Sequence, residues 1–184
     1  MTVSEIRYGT GREALLRAVV DVVAEDGLDA LSYRKVAQRA GVNNTLISHH
    51  FGSKEALLEA ATVWAVQRTQ QLADLTLASA LDRDFAETLT RIVAEEPNLQ
   101  VFQYYMILAS RRSSELRRIA GNLYESYISM VQNVLVRYGY KPDKATARAV
   151  FAALDGLVMQ QVTLAERDEI LAAVIRLGEL IDRR

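Results

Sequence analysis

Two short runs with helical spacing, residues 33–40 and 44–51, are separated only by Gly41, Val42 and Asn43, and this pairing constrains the chain more than any other feature. A link that short forces two helices to cross at an angle, and an apolar face elsewhere must brace them. The brace is a helix expected over about 12–25, where Leu15, Leu16, Val19, Val22 and Val23 form one apolar stripe. Gly27 is placed to end it in the left-handed conformation, with Leu28 and Leu31 anchoring the connection. Ser32 and Asn43 then stand as N-caps of the second and third helices. At 100° per residue, Val36, Ala37 and Ala40 of the second helix face inward, as do Ile47, His50 and Phe51 of the third. Thr45, Ser48 and His49 fall on the opposite side, with Asn44 at its edge.

Ser53 caps a fourth, longer helix whose apolar positions include Leu57, Leu58, Ala61, Trp64, Ala65 and Leu72. Five further helical runs are expected near 83–95, 98–110, 113–138, 143–166 and 168–182, with Pro97, Gly139 and Pro142 at boundaries. Residues 1–10 read as a loose arm. Strand-like alternation is nowhere sustained and half the residues are apolar, so the chain reads as all-α, with about nine helices and a sizeable core. The division expected is a head at 1–55 and a body at 56–184.

No cysteine is present, which excludes disulfides and thiolate metal sites and fits a reducing, cytoplasmic setting. The longest stretch without a charge, 97–110, is shorter than the roughly 20 residues a spanning helix needs, so no membrane association is expected. His49 and His50 point about 100° apart and have no carboxylate at ligand spacing, so no metal or other cofactor is expected. No nucleophile or acid–base pair presents itself, and a catalytic role is not expected.

The formal net charge is −1, which on its own argues against a nucleic-acid partner. Its distribution argues for one. From Ser32 to Lys54 the charged residues are Arg34, Lys35, Arg39 and Lys54, with no acid among them. The outward side of the third helix is short and polar, as a helix entering the major groove must be. Asn44 can pair with adenine, and Thr45 can bond a base or touch a thymine methyl. Lys54 opens the fourth helix, where a cation and free N–H groups together suit a phosphate. Apolar spacing alone would equally fit the corner of a helical bundle; the basic stretch and the two consecutive caps favour double-stranded DNA.

The stretch LSYRKVAQRAGVNNTLISHHFGSKEALLEA closely resembles the head of TetR-family regulators. Ala40, Gly41 and Val42 match the family's run, as do His50, Phe51, Ser53, Lys54, Glu55, Ala56 and Leu57, with no gap in spacing. The resemblance implies that Ser32, Tyr33 and Arg34 approach phosphates or a groove edge. It places Asn43, Asn44, Thr45, Ser48 and His49 on the reading surface, has His50 bridge core and backbone, and gives Lys54 a phosphate. Ser48 stands where the family usually carries Tyr, which shifts load to His49 or Tyr33. The resemblance further implies a helical body that binds a small-molecule effector, and a ligand-responsive repressor acting as a homodimer on a palindromic operator. The run Ala153-Leu154-Asp155-Gly156-Leu157 resembles the BetI-type body.

Within the body, Gln103, Tyr104, Tyr105, Tyr124 and Tyr127 combine apolar area with polar handles, and Trp64, Phe151 and Met159 are further candidates for a ligand pocket. Plain core packing is the alternative for each. Asp155 interrupts an apolar run, and a buried acid needs a partner or a role: an Arg, a Tyr hydroxyl or a cationic ligand. The last two helices read as a dimer surface, because Ile170, Val174, Leu177 and Ile181 recur at 4, 3, 4 spacing as in a helix–helix seam. A protein–protein adaptor remains the second reading of the chain.

Overall fold

The computed structural model describes residues 10–72, 81–137, 139–141 and 143–182. The expected arm, apart from Thr10, lies outside them, as does Pro142. Among the described residues there are nine α-helices and no strand: α1 Thr10–Asp26, α2 Tyr33–Ala40, α3 Asn44–Phe51, α4 Lys54–Leu72, α5 Arg83–Glu95, α6 Pro97–Ala109, α7 Ser114–Arg137, α8 Lys144–Thr163 and α9 Arg167–Asp182.

The helices begin where short polar side chains can satisfy orphan N–H groups. Ser32 Oγ accepts from Lys35 N at 3.3 Å, Ser53 Oγ from Ala56 N at 3.0 Å and Asp82 Oδ1 from Phe85 N at 3.0 Å. Asp143 Oδ1 accepts from Thr146 N at 2.7 Å at the start of α8. The Thr146 backbone N–H first, and then its hydroxyl, hold the Asp143 carboxyl below its ordinary range.

Three expectations are corrected. Gly27 does take a positive φ, but at φ 85° and ψ 163° it is extended rather than left-handed helical. The chain therefore leaves α1 into a separate 3-10 turn, Leu28–Ala30, before reaching the cap at Ser32. Next, α8 stops at Thr163 rather than 166, where Leu164 N and Ala165 N both donate to Gln160 O and close the last turn. Glu169 Oε2 then accepts from Glu166 N at 3.0 Å, one half of a capping box for α9. Finally, the stripe read as an intermolecular seam turns into its own chain. Ile170 and Val174 are fully buried, and Leu177 and Ile181 pack against the same core. A 4, 3, 4 repeat specifies a helix–helix contact without saying whose helix is the partner.

The chain divides into two compact units. One comprises Met1–Gln67 with Phe102–Ile119, the other Arg68–Val101 with Ala120–Arg184. In the first, α1 lies against α2 and α2 against α3, and Leu15, Val19, Val23, Val36, Ile47 and Leu57 are sealed from water. Each such side chain contributes roughly 1.5–3 kcal/mol of apolar burial. In the second, α9 packs on α5 and α8, around a core that includes Phe85, Ile92, Ile128, Leu135, Phe151 and Val174. Gln161 Nε2 donates to Thr90 O at 2.7 Å, and Arg167 Nε to Thr90 Oγ1 at 3.3 Å, tying α8 and α9 to α5. The Tyr140 hydroxyl donates to Ile181 O and holds the α7–α8 connection against the end of α9.

Candidate nucleic-acid interface and internal cavity

The turn between α2 and α3 is built by Gly41, in the left-handed region at φ 67° and ψ 29°. Val42 N donates to Ala37 O at 3.0 Å and Gly41 N to Gln38 O at 3.3 Å, so the closing carbonyls of α2 are satisfied. A side chain other than glycine would be strained at that φ. The chain re-enters helix at Asn44, one residue past the exposed Asn43. Ile47, with no exposed surface, pins α3 inward.

His49 and His50 are both exposed, and their rings meet edge-on with centroids 5.5 Å apart. The inward placement expected for His50 is thus corrected. It lies about 60° around the helix from Ile47, against 40° for Phe51 on the other flank, and only Phe51 reaches partial cover. Arg12 of α1 lies over the Phe51 ring at 5.3 Å, a cation–π contact that covers it. The side chains of Asn44, Thr45 and Ser48 lie outside the described residues.

Ser32 is taken up by its cap. Tyr33 is half-buried, and its hydroxyl donates to Gly52 O at 3.4 Å, joining the first turn of α2 to the turn before α4. The basic stretch divides in two. Lys35 Nζ pairs with Asp26 at 3.0 Å, and Arg39 pairs with Glu25, so acids at the end of α1 face half of the cations. The hydrogen bond that Arg39 donates to Glu25, more than the charge of Glu25, holds the Arg39 proton more tightly than usual. Exposed Arg34 and half-buried Lys54 have no ion-pair partner among the described residues. A stretch free of acid in sequence is therefore not free of acid in space.

The second unit holds a cavity of about 530 Å³. Its walls come from α5 (Phe85, Leu89, Ile92, Val93), α7 (Tyr127, Met130, Val131, Val134) and α8 (Phe151, Leu154, Asp155, Val158), with Thr69 of α4 and Gln100 of α6. Of the ligand candidates read from sequence, Tyr127, Phe151 and Asp155 line it. Tyr124 stands behind them, its hydroxyl donating to Asp155 Oδ2 at 2.9 Å. Burial first, and then the charge of Asp155, push the Tyr124 phenol well above its ordinary pKa.

Trp64, Gln103, Tyr104 and Tyr105 belong to the first unit and do not line this cavity, and Met159 is 45% exposed. Trp64 is covered instead by the Arg17 guanidinium at 5.4 Å. The α5 wall escaped the sequence reading, although Phe85, Leu89, Ile92 and Val93 keep helical spacing. Spacing marks an apolar face, but it does not distinguish a wall around space from a wall around side chains.

Residues 15–61 match the family model for bacterial regulatory proteins of the tetR family, and residues 80–180 that for the tetracyclin repressor-like C-terminal domain. The chain is 29% identical to the HTH-type transcriptional regulator BetI of Serratia proteamaculans over 123 residues, 67% of this chain and 60% of that protein. It is 34% identical to BetI of Yersinia pestis over 84 residues, 46% of this chain and 42% of that protein. The matches therefore span less than two thirds of these curated relatives. Among solved structures, a transcriptional regulator from Rhodococcus sp. RHA1 superposes with a TM-score of 0.75 at 24% identity, covering 92% of this chain and 95% of that one. A Streptomyces coelicolor protein assigned as a transcriptional regulator does so with a TM-score of 0.66 at 26% identity, covering 91% and 98%. No helix among the described residues is long and apolar enough to cross a membrane. With both halves of the architecture matched, and a helix-turn-helix of the expected geometry at its head, the chain belongs to the TetR family of DNA-binding transcriptional regulators.

Proposed function

We propose that the protein is a cytoplasmic, ligand-responsive repressor that acts as a homodimer on a palindromic operator. Residues 1–55 form the DNA-reading head, and residues 56–184 the effector-binding and dimerisation body. Asn43, Asn44, Thr45, Ser48 and His49 read base edges, while Ser32, Tyr33, Arg34, His50 and Lys54 engage the sugar–phosphate backbone. Asp155, Tyr124, Tyr127 and Phe151 bind the effector.

The observation that carries this reading is the double role of α4. Its first residue, Lys54, is the phosphate candidate, and Thr69, fifteen residues on, lines the cavity. One helix thus carries both a phosphate candidate and a residue of the cavity wall. Filling the cavity moves α4, changes the spacing of the two heads, and the two-headed fit to DNA fails. Dimerisation uses the outward faces of α8 and α9. Ala149, Ala152, Ala153 and Met159 are exposed there, as is Leu180 at 55%, and small side chains allow close approach of a second copy.

The test is selection of bound fragments from a genomic library, followed by sequencing. A recovered palindrome with half-sites one helical turn or a small multiple apart is expected. Recovery of single half-sites, or equal affinity of monomer and dimer for the operator, would remove the homodimer reading. Recovery of no enriched sequence would remove operator recognition by the free protein.

A further inference from the structure

The cavity of the second unit has an uneven chemistry. Most of its lining residues are apolar, and the charged ones are Asp155 and Arg137. Arg137 is exposed at the last residue of α7, where water screens it and a cation suits the helix dipole. Asp155 is half-buried, and the Tyr124 hydroxyl, donating at 2.9 Å, fixes the orientation of its carboxylate.

Around the carboxylate stand aromatic rings. Phe151 lies one helical turn before Asp155 on α8, with Tyr124 edge-on at 5.0 Å and Tyr127 stacked at 5.6 Å. Ring faces carry partial negative charge, so a carboxylate and an aromatic cluster at one wall act in the same sense. Both favour a positively charged group and disfavour an anion.

We propose that this cavity takes a protonated amine carried on an apolar, aromatic-sized body. The ammonium lies against Asp155 and the Phe151–Tyr127 rings, and the apolar body fills the space walled by Phe85, Leu89, Ile92 and Met130. The volume, about 530 Å³, suits a drug-sized ligand rather than a small ion. The inference rests on the effector-binding reading above, but it concerns the ligand's charge and is measured without DNA.

The probes are diphenylpropylamine, diphenylpropanol and diphenylpropanoic acid, which share one apolar body and differ in charge. Calorimetric titration of the full chain at neutral pH is expected to give binding of the amine about tenfold tighter than the alcohol, with the acid weakest. Asp155→Asn should abolish the preference for the amine over the alcohol. Tyr124→Phe, which keeps the carboxylate, should retain most of it. Equal or tighter binding of the alcohol or the acid, failure of all three probes to bind, or a preference that survives in Asp155→Asn would overturn the proposal. Amine-selective binding that leaves a selected operator fragment bound would support the ligand class and remove the ligand-responsive reading. Release of that fragment by the alcohol as readily as by the amine would do the reverse.

Discussion

A Cβ placed on Gly178 would collide with the carbonyl oxygen of Leu81, so the C-terminal half of α9 touches the backbone ahead of α5 with no room for a methyl group. Because the obstacle is main chain, no side-chain rotation relieves it. Gly178→Ala is expected to destabilise the protein by about 1–3 kcal/mol, the usual cost of overpacking. That corresponds to a fall in Tm of about 2–4 °C per kcal/mol in a chain of this size. Thermal unfolding followed by circular dichroism checks it; an unchanged Tm would mean that α9 can slide away from Leu81.

Lys54→Ala and Arg34→Ala should weaken binding to every DNA sequence alike, and each should lower the slope of log K against log salt by about one unit. Titrations at several salt concentrations, on an operator fragment and on random DNA, measure this. A loss confined to the operator would reassign either residue to base reading.

Glu25→Gln makes an opposite prediction. Removing the acid frees the exposed Arg39 guanidinium that it now holds. Affinity for random DNA at low salt should rise, and the salt slope should steepen by up to about one unit. Unchanged non-specific binding would show that Arg39 points away from the phosphates.

Asn44→Ala and Thr45→Ala should each cost roughly 1–3 kcal/mol on the operator and relax selectivity at one base pair, with little effect on random DNA. Selection and sequencing with each variant would reveal which position relaxes.

Asp143 caps α8, and its carboxyl is held below the ordinary range by the Thr146 N–H. A depressed folded pKa means that the charge stabilises the fold above the ordinary carboxylate pKa, and that this contribution is lost as pH falls through the folded value. Asp143→Ala should therefore lower the urea midpoint at neutral pH, and the gap to the unaltered protein should close as the solution is acidified into and below the carboxylate range. A gap constant with pH would assign the effect to helix propensity instead of the capping charge.

Most helices of the described residues were legible because many of their ends are written in local chemistry: Ser32, Ser53, Gly41 and Pro97 act on residues within one turn of themselves. What depends on packing was not legible. The ion pairs Lys35–Asp26 and Arg39–Glu25 join residues brought together only when α2 lies on α1. The sequence marked Asp155 as an acid in an apolar run that needed a partner, a Tyr hydroxyl among the kinds considered, but not which one; its bond with Tyr124 required α7 and α8 to be set side by side. Trp64 and Tyr105 looked equally suited to a pocket, but aromatic character alone does not say which unit a side chain serves.

The pairing of two head cations with the acids that end α1 bears on how such a regulator would fare in a chromosome. Its target competes with some 10⁶–10⁹ other sites, all carrying the same phosphates. A protein that grips phosphate strongly is titrated away by the bulk of that DNA, whatever its base contacts. By neutralising part of its own positive charge, such a head would stay unbound for longer, and its occupancy of a genome would be decided to a greater degree by bases than by backbone.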